Sequence, residues 1–323
     1  MPQTTNPTLA VAIVSWNVKN LLDDCLLSLR EELERAAVHA EVKVVDNASV
    51  DGSAEMVRAR HPWVHLHAST ENLGFVRANN LILEHLWQPG TDPCFQADFV
   101  WLLNPDTTIR PGALSTLLRF FAEHPRAGLI GPQLLNPDGS TQTSAFRFPG
   151  LLQPLFDLGW LPQRFYYTRF NGRYPENNTS ERPFHIDHPL GAAMLARGAA
   201  IQEVGLLDPQ FFMYCEEIDW AWRMRKAGWE AWLVPEAKVI HYGGASTNQA
   251  RPATTAYLWE SRAKLYRKHR DPLTHALVSA AVRRAFAKKA AEAPNEEWRA
   301  AYNRISAAWE TAQNDKADYQ TND

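Results

Sequence analysis

Between Leu9 and Gly131 the chain alternates continuous apolar runs with stretches of helical periodicity. Leu9 to Trp16 (LAVAIVSW) reads as a strand buried on both faces. Asn17 is placed to cap the helix behind it, where Leu21, Leu22, Cys25, Leu26, Leu29 and Leu33 recur at helical spacing. Val42 to Val45 form the next strand and end at Asp46-Asn47, after which Asp51-Gly52 turns into a short helix through Arg60. Val64 to His67 make a third strand, followed by the loop ENLGF and a helix from about Val76 to Trp87. Phe99 to Leu103 (FVWLL) break at Asn104-Pro105-Asp106, Pro111-Gly112 opens a helix over Ala113 to Glu123, and Leu129-Ile130 begins another strand. This order predicts an α/β fold: a mostly parallel central sheet with right-handed crossovers and helices on both faces.

The alternation weakens after Gly131. Asn136 to Ser140 (NPDGS) reads as a hairpin turn. Residues 146–185, rich in Pro, Tyr, Phe and Arg, read as an irregular excursion of the kind that serves as a lid or connection. Regularity returns at His188 to Arg197, in a helix from Glu217 and in a strand Ala231 to Ile240 interrupted by Pro235. Residues 257–290 carry nine basic and two acidic side chains in an Ala-rich helical register, and from 291 to 323 the balance reverses. The expected division is a main domain over residues 1–245 and a helical C-terminal tail over 246–323, ending in a polar, frayed terminus.

The apolar runs stop abruptly at polar residues: VVDNASVDGS at Asp46, LLNPDTT at Asp106, FFMYCEEIDWAWR at Glu216 to Arg223, and VIHYGG at His241. Open α/β sheets bind ligands outside the carboxyl ends of their strands. Together these segments suggest a metal-bound diphosphate with a carboxylate nearby to act as a base. Each has a plainer reading beside it. Asp46 and Asp51 either meet a base or ribose or cap the next helix. Asn72, Gly74, Arg77, Asn79 and Asn80 either surround a phosphate or form a turn and a solvated helix face. Asp106 either holds Mg²⁺ or Mn²⁺ or closes an Asn-Pro-Asp turn. Asp219 and Arg223 have the spacing of an ion pair, whereas Glu216 and Glu217 exceed what a helix cap requires. His241 either ligates a metal or is structural, and His185 and His188 share that ambiguity.

Composition narrows the classes. With 45% hydrophobic and 21% charged residues in 323, the chain is an ordinary globular one, and a net charge of -3 gives no case for nucleic acid. Three cysteines, Cys25, Cys94 and Cys215, without CxxC spacing favour a reduced, cytoplasmic setting. The N-terminus has no basic and apolar leader pattern, and no apolar stretch is long enough to span a bilayer. No G-x-G-x-x-G opens a helix, which excludes a dinucleotide-dependent oxidoreductase, and SWNVKN lacks the glycines of a nucleotidyltransferase phosphate loop.

Six segments in order, VAIVSWN, VVDNASVDGS, ENLGFVRANN, WLLNPDTTIRPGAL, GAAMLARGAAIQEVGLLDPQFFMYCEEIDWAWRMRKAGW and VPEAKVIHYGG, closely resemble the family 2 glycosyltransferases of the GT-A fold, and most of all their rhamnosyltransferase-like branch. The resemblance covers about Leu9 to Gly244. It implies an inverting transfer of a sugar, with rhamnose from dTDP-rhamnose favoured, to a lipid-linked or oligosaccharide acceptor in lipopolysaccharide or O-antigen synthesis. Ser15, Asn17, Asp46, Asp51, Asn72, Gly74, Arg77, Asn80 and Asn104 would bind the donor nucleotide. Asp106 matches the last acidic position of the family's D-x-D-type motif and would hold Mg²⁺ or Mn²⁺ with His241; Asn104 stands at the motif's first position. Glu216-Glu217 matches the E-D pair whose second residue is the usual base, with Glu217 where Asp is commoner, so either glutamate is a candidate and Glu217 is favoured. The basic tail would hold the enzyme peripherally at the inner face of an anionic membrane, or pack as a solvated helical face. The contrasting class is a nucleotide-sugar binding protein without catalysis, supported by Asn104 and Glu217.

Overall fold

The computed structural model describes residues 7–86, 97–244 and 247–314. Trp87, Cys94, the first residues of the N-terminus and the polar end of the tail lie outside them. In chain order the elements are β1 (Thr8–Ser15), α1 (Lys19–Ala36), β2 (His39–Asp46), α2 (Ser53–Arg60), β3 (His65–Ala68), α3 (Gly74–His85), β4 (Phe99–Leu103), β5 (Thr107–Ile109), α4 (Ala113–Glu123) and β6 (Ala127–Leu135). There follow β7 (Ala145–Phe146), α5 (Leu152–Asp157), α6 (Glu176–Thr179), β8 (Phe184–Ile186), β9 (His188–Pro189), β10 (Ala193–Arg197), α7 (Gly198–Val204), α8 (Glu216–Lys226) and β11 (Glu230–His241). The last three helices are α9 (Arg251–His269), α10 (Pro272–Ala291) and α11 (Glu296–Asn314).

The large sheet runs β3-β2-β1-β4-β10-β6-β11-β5, with β8 against β11. The first four strands are parallel, and their unbroken apolar runs follow from burial on both faces. Leu22, Cys25, Leu26 and Leu29 turn the inner stripe of α1 onto this sheet. Past β4 the direction changes: β10 enters antiparallel to both β4 and β6. The excursion over residues 146–185 holds two short helices, α5 and α6, and the start of β8. β11 then runs parallel to β6 and breaks register between Val234 and Lys238, around Pro235, which has no N–H for the ladder.

One expected cap differs. Asn17 does not cap α1: its side-chain oxygen accepts from Val50 N at 2.8 Å. The first amide of α1, Lys19 N, instead donates to Asp51 Oδ2 at 2.8 Å, while Asp51 Oδ1 accepts from Ser53 N at 3.0 Å. One carboxylate therefore serves the starts of both α1 and α2. The start of α4 is served from α1, where the buried Glu32 accepts from Gly112 N and Leu114 N at 2.8 and 3.2 Å.

The chain divides into two compact units. The first comprises residues 1–147, 174–209 and 217–246 and holds the sheet. The second gathers 148–173 and 210–216 with 247–323, so the helices expected as a tail fold together with two earlier segments. Its core is built on Trp259, Tyr266, Val278, Phe286, Ile305 and Trp309. Basic residues of α9, and Arg270 just after it, tie the earlier segments down. Arg262 pairs with Asp157 at 2.6 Å, Lys264 Nζ donates to Gln210 O at 2.6 Å, and Arg270 donates to Pro149 O and Phe148 O. Among the described residues no helix is long and apolar enough to cross a membrane.

Candidate active site

β5 and β11 pair antiparallel with Thr107 opposite His241, and Tyr242 N donates to Asp106 O at 3.0 Å. This register brings two residues far apart in sequence side by side: Asp106 Oδ1 lies 3.5 Å from His241 Nε2. The other ring nitrogen, Nδ1, is 2.8 Å from Gln142 Oε1. A carboxylate oxygen and an imidazole nitrogen facing each other are donors suited to Mn²⁺ and, through the carboxylate, to Mg²⁺. Among the described residues no third His, Cys, Asp or Glu joins them, so the pair fits a cation that takes its other ligands from phosphate and water.

A second link crosses the same strand edge. Ala193 pairs with Leu103, and Asn104 N donates to Ala192 O at 2.8 Å. The backbone at Gly191–Ala192 therefore adjoins the Asn104–Asp106 turn. Glu217, in the first turn of α8, lies across Gly191: a methyl group there would stand 3.6 Å from Glu217 Cγ and 3.8 Å from its carboxyl carbon. Asp106 and Glu217 thus converge on one edge of the first unit. α8 is anchored there by Arg223, which donates to Asp219 and to the carbonyls of Val204 and Leu206, and by Trp220 Nε1, which donates to Gly205 O. Asp219 and Arg223 are accordingly an internal ion pair. Glu216 is buried and closes the 210–216 segment of the second unit. Just before it, Tyr214 and Cys215 both have φ 66°, a left-handed conformation that non-glycine residues adopt at a cost of about 1–3 kcal/mol each.

Ser15 and Asp46, both expected to meet the donor nucleotide, end β1 and β2 opposite one another. Ser15 Oγ and Asp46 Oδ1 are buried with no hydrogen-bond partner among the described residues, whereas Asp46 Oδ2 accepts from Ser49 N. Such orphaned groups cost about 1–3 kcal/mol apiece, which a ligand donor or acceptor would recover. The other expected donor contacts divide. Asn47, next to Asp46 at the strand end, bonds Gly74 O and Leu73 N and so fixes the loop. Asn72 Oδ1 accepts from Gly74 N, whose φ of 77° favours glycine. Asn80 spends its amide on both backbone groups of Leu207 and is a clamp. Asn17 is used on the Val50 amide and Asp51 on the starts of α1 and α2, and Arg77 is exposed on the first turn of α3.

Of the other candidate histidines, His188 bonds Pro189 O and stacks on Phe146, and the His185 ring centroid lies 3.5 Å from that of Trp232, both packing roles. The residue that sequence reasoning missed is Gln142. It sits in a polar stretch, TQTS, which carries no apolar signal of its own.

A family model described as glycosyltransferase-like family 2 matches residues 7–270. Over 247 residues the chain is 33% identical to the N-acetylglucosaminyl-diphospho-decaprenol L-rhamnosyltransferase of Mycobacterium tuberculosis, covering 75% of this chain and 78% of that one. It is 25% identical to the low-salt glycan biosynthesis hexosyltransferase Agl10 of Haloferax volcanii, over 69% of this chain and 64% of that one. Among solved structures, the fold is similar to the mannosyltransferase PcManGT from Pyrobaculum calidifontis in complex with GDP-Man and Mn²⁺, with a TM-score of 0.54, 18% identity and coverage of 96% and 87%. It is also similar to S. aureus TarS in complex with UDP-GlcNAc, with a TM-score of 0.53, 14% identity and coverage of 94% and 81%. These likenesses show the GT-A-like fold.

Proposed function

Since the chain belongs to the glycosyltransferase-like family 2, we propose that it transfers rhamnose from dTDP-rhamnose, with inversion, to an N-acetylglucosamine carried on a polyprenyl diphosphate. The sugar and acceptor follow those of the mycobacterial relative, an N-acetylglucosaminyl-diphospho-decaprenol L-rhamnosyltransferase, and would place the reaction in surface glycan assembly. The observation that carries the reading is the shared strand edge: Asp106 beside His241, and Glu217 across Gly191, joined through Asn104 and Ala192.

That edge matches what one displacement needs. The Glu217 carboxylate accepts the proton of the acceptor hydroxyl, whose oxygen forms its bond to the anomeric carbon. The bond from that carbon to the diphosphate oxygen breaks, and the nucleoside diphosphate leaves with the electron pair. Unlike a glycosidase, which must protonate a poor leaving group, this reaction needs no second carboxylic acid. A divalent cation, when bound, neutralises the departing diphosphate. Asp106 and His241 would hold it. Ser15 and Asp46 would receive polar groups of the nucleoside, supported by the Asn47-braced loop at Asn72 and Gly74, with Arg77 near the phosphates. The exposed side of α10, where Leu273 and Leu277 precede Arg284 and Lys288 at helical spacing, would rest on the anionic membrane that bears the acceptor.

The test is incubation of the full chain with dTDP-, UDP- or GDP-sugars, a GlcNAc-diphospho-polyprenol and Mn²⁺ or Mg²⁺. The expected product is a rhamnosylated lipid formed from dTDP-rhamnose alone. Transfer only from GDP-mannose would refute the rhamnosyl assignment, and tight cation-dependent nucleotide binding without transfer from any donor would favour the non-catalytic binding protein.

A further inference from the structure

The segment after the NPDGS turn carries a buried polar cluster that the catalytic scheme leaves unused. Gln133, Ser144 and Asn177 are 6%, 1% and 3% exposed. Their side chains gather at the carbonyl of Gln142, which accepts from Gln133 Nε2 at 3.1 Å and Asn177 Nδ2 at 3.3 Å, while Ser144 Oγ donates to Asn177 Oδ1 at 3.0 Å. Gln142 N in turn donates to Leu134 O at 2.9 Å. A buried polar group is costly unless its whole network is satisfied, and such networks rigidify what they hold. Here they hold one backbone position.

The side chain of Gln142 has its own constraints. Its Nε2 donates to His241 O at 3.2 Å and to Asn136 Oδ1 at 3.0 Å. A backbone carbonyl only accepts, so the amide nitrogen must face it. The amide oxygen is left facing His241 Nδ1 at 2.8 Å. An amide oxygen only accepts as well, so Nδ1 must carry the proton. In the neutral ring Nε2 is then the bare nitrogen, and it is the one directed at Asp106. Partners of this kind, behind a metal-binding histidine, set its tautomer and orientation.

We propose that Gln142 is a positioning residue that locks His241 in its Nδ1–H tautomer and thereby presents the Nε2 lone pair toward Asp106. Its consequence for cation affinity rests on the metal reading given above; the tautomer itself does not.

The test uses the ¹⁵N-labelled full chain without metal, at a pH where imidazole is neutral, with His241→Ala to assign the ring signals. Long-range ¹H–¹⁵N spectra are expected to show His241 Nδ1 protonated and Nε2 bare. Gln142→Met should shift the ring toward the Nε2–H form that imidazole side chains favour unaided, and Gln142→Glu, which keeps an acceptor, should restore Nδ1–H. A wild-type His241 protonated on Nε2, or a Gln142→Met spectrum with the tautomer unchanged, would overturn the proposal; the wild-type spectrum decides even if the Met variant does not fold. A second arm titrates Mn²⁺ in the presence of dTDP by electron paramagnetic resonance. Affinity should fall about 10-fold or more in Gln142→Met and recover in Gln142→Glu. Mn²⁺ affinity unaffected by His241→Ala would refute the metal reading instead, with the tautomer still decided by the spectra.

Discussion

Asp51 shows how one side chain answers two local needs. Burial raises its pKa, but hydrogen bonds from Ser53 and from the Lys19 amide outweigh that and hold it below the ordinary 3.8. A carboxylate with a depressed folded pKa stabilises the fold above the unfolded value and loses that contribution as pH falls through the folded one. Asp51→Ala should therefore cost about 1–2 kcal/mol at neutral pH, the scale of a lost helix cap, as read from denaturant unfolding. The difference from wild type should shrink as pH drops below 3.8. An unchanged difference at low pH would assign the loss to packing. Cys25 lies under the Asn104–Thr107 turn, where burial pushes its thiol up to about 12, so it is a packing group beneath the site and not a nucleophile. At this scale the sequence displayed Asp106, His241 and Glu217 because each interrupts or follows an apolar run. Gln142 was invisible, since its importance lies in one hydrogen bond to a residue 99 positions away.

At the scale of elements, the parallel half of the sheet was legible because double-sided burial leaves uninterrupted apolar runs. The reversal at β10 was not, because an apolar run such as Ala193–Arg197 reads the same in either direction. That reversal matters to the site: it turns the start of β10 toward the carboxyl end of β4, so that Gly191 meets the Asn104 turn. The basic helices divide similarly. Arg262, Lys264 and Arg270 are consumed within the second unit by a carboxylate and by backbone carbonyls, acceptors that leave no sequence signal. The case for membrane contact thus moves from α9 to α10. Full-length protein should co-sediment with vesicles containing anionic lipid at low salt, less so at high salt, and Leu273→Asp with Leu277→Asp should reduce binding severalfold. Equal binding by the double variant, or none by the wild type, would exclude α10 as the contact.

For the whole molecule, the division into two units explains why a boundary near residue 245 was only partly readable. A change of composition marks where the helices begin, but not that residues 148–173 and 210–216 join them. Chain order alone cannot show that the strand carrying His241 returns beside the turn carrying Asp106; the β5–β11 register does. The proposed reaction divides the labour at one edge, where Asp106 would serve a cation and Glu217 the acceptor hydroxyl. The most direct measurement compares Mn²⁺-dependent donor-nucleotide binding and sugar transfer in Asp106→Asn and Glu217→Gln. We predict that Asp106→Asn loses Mn²⁺-dependent binding and transfer together, whereas Glu217→Gln binds as the wild type does and transfers about 10²–10⁴-fold more slowly. Wild-type transfer rates in Glu217→Gln, or Mn²⁺-dependent binding intact in Asp106→Asn, would contradict it.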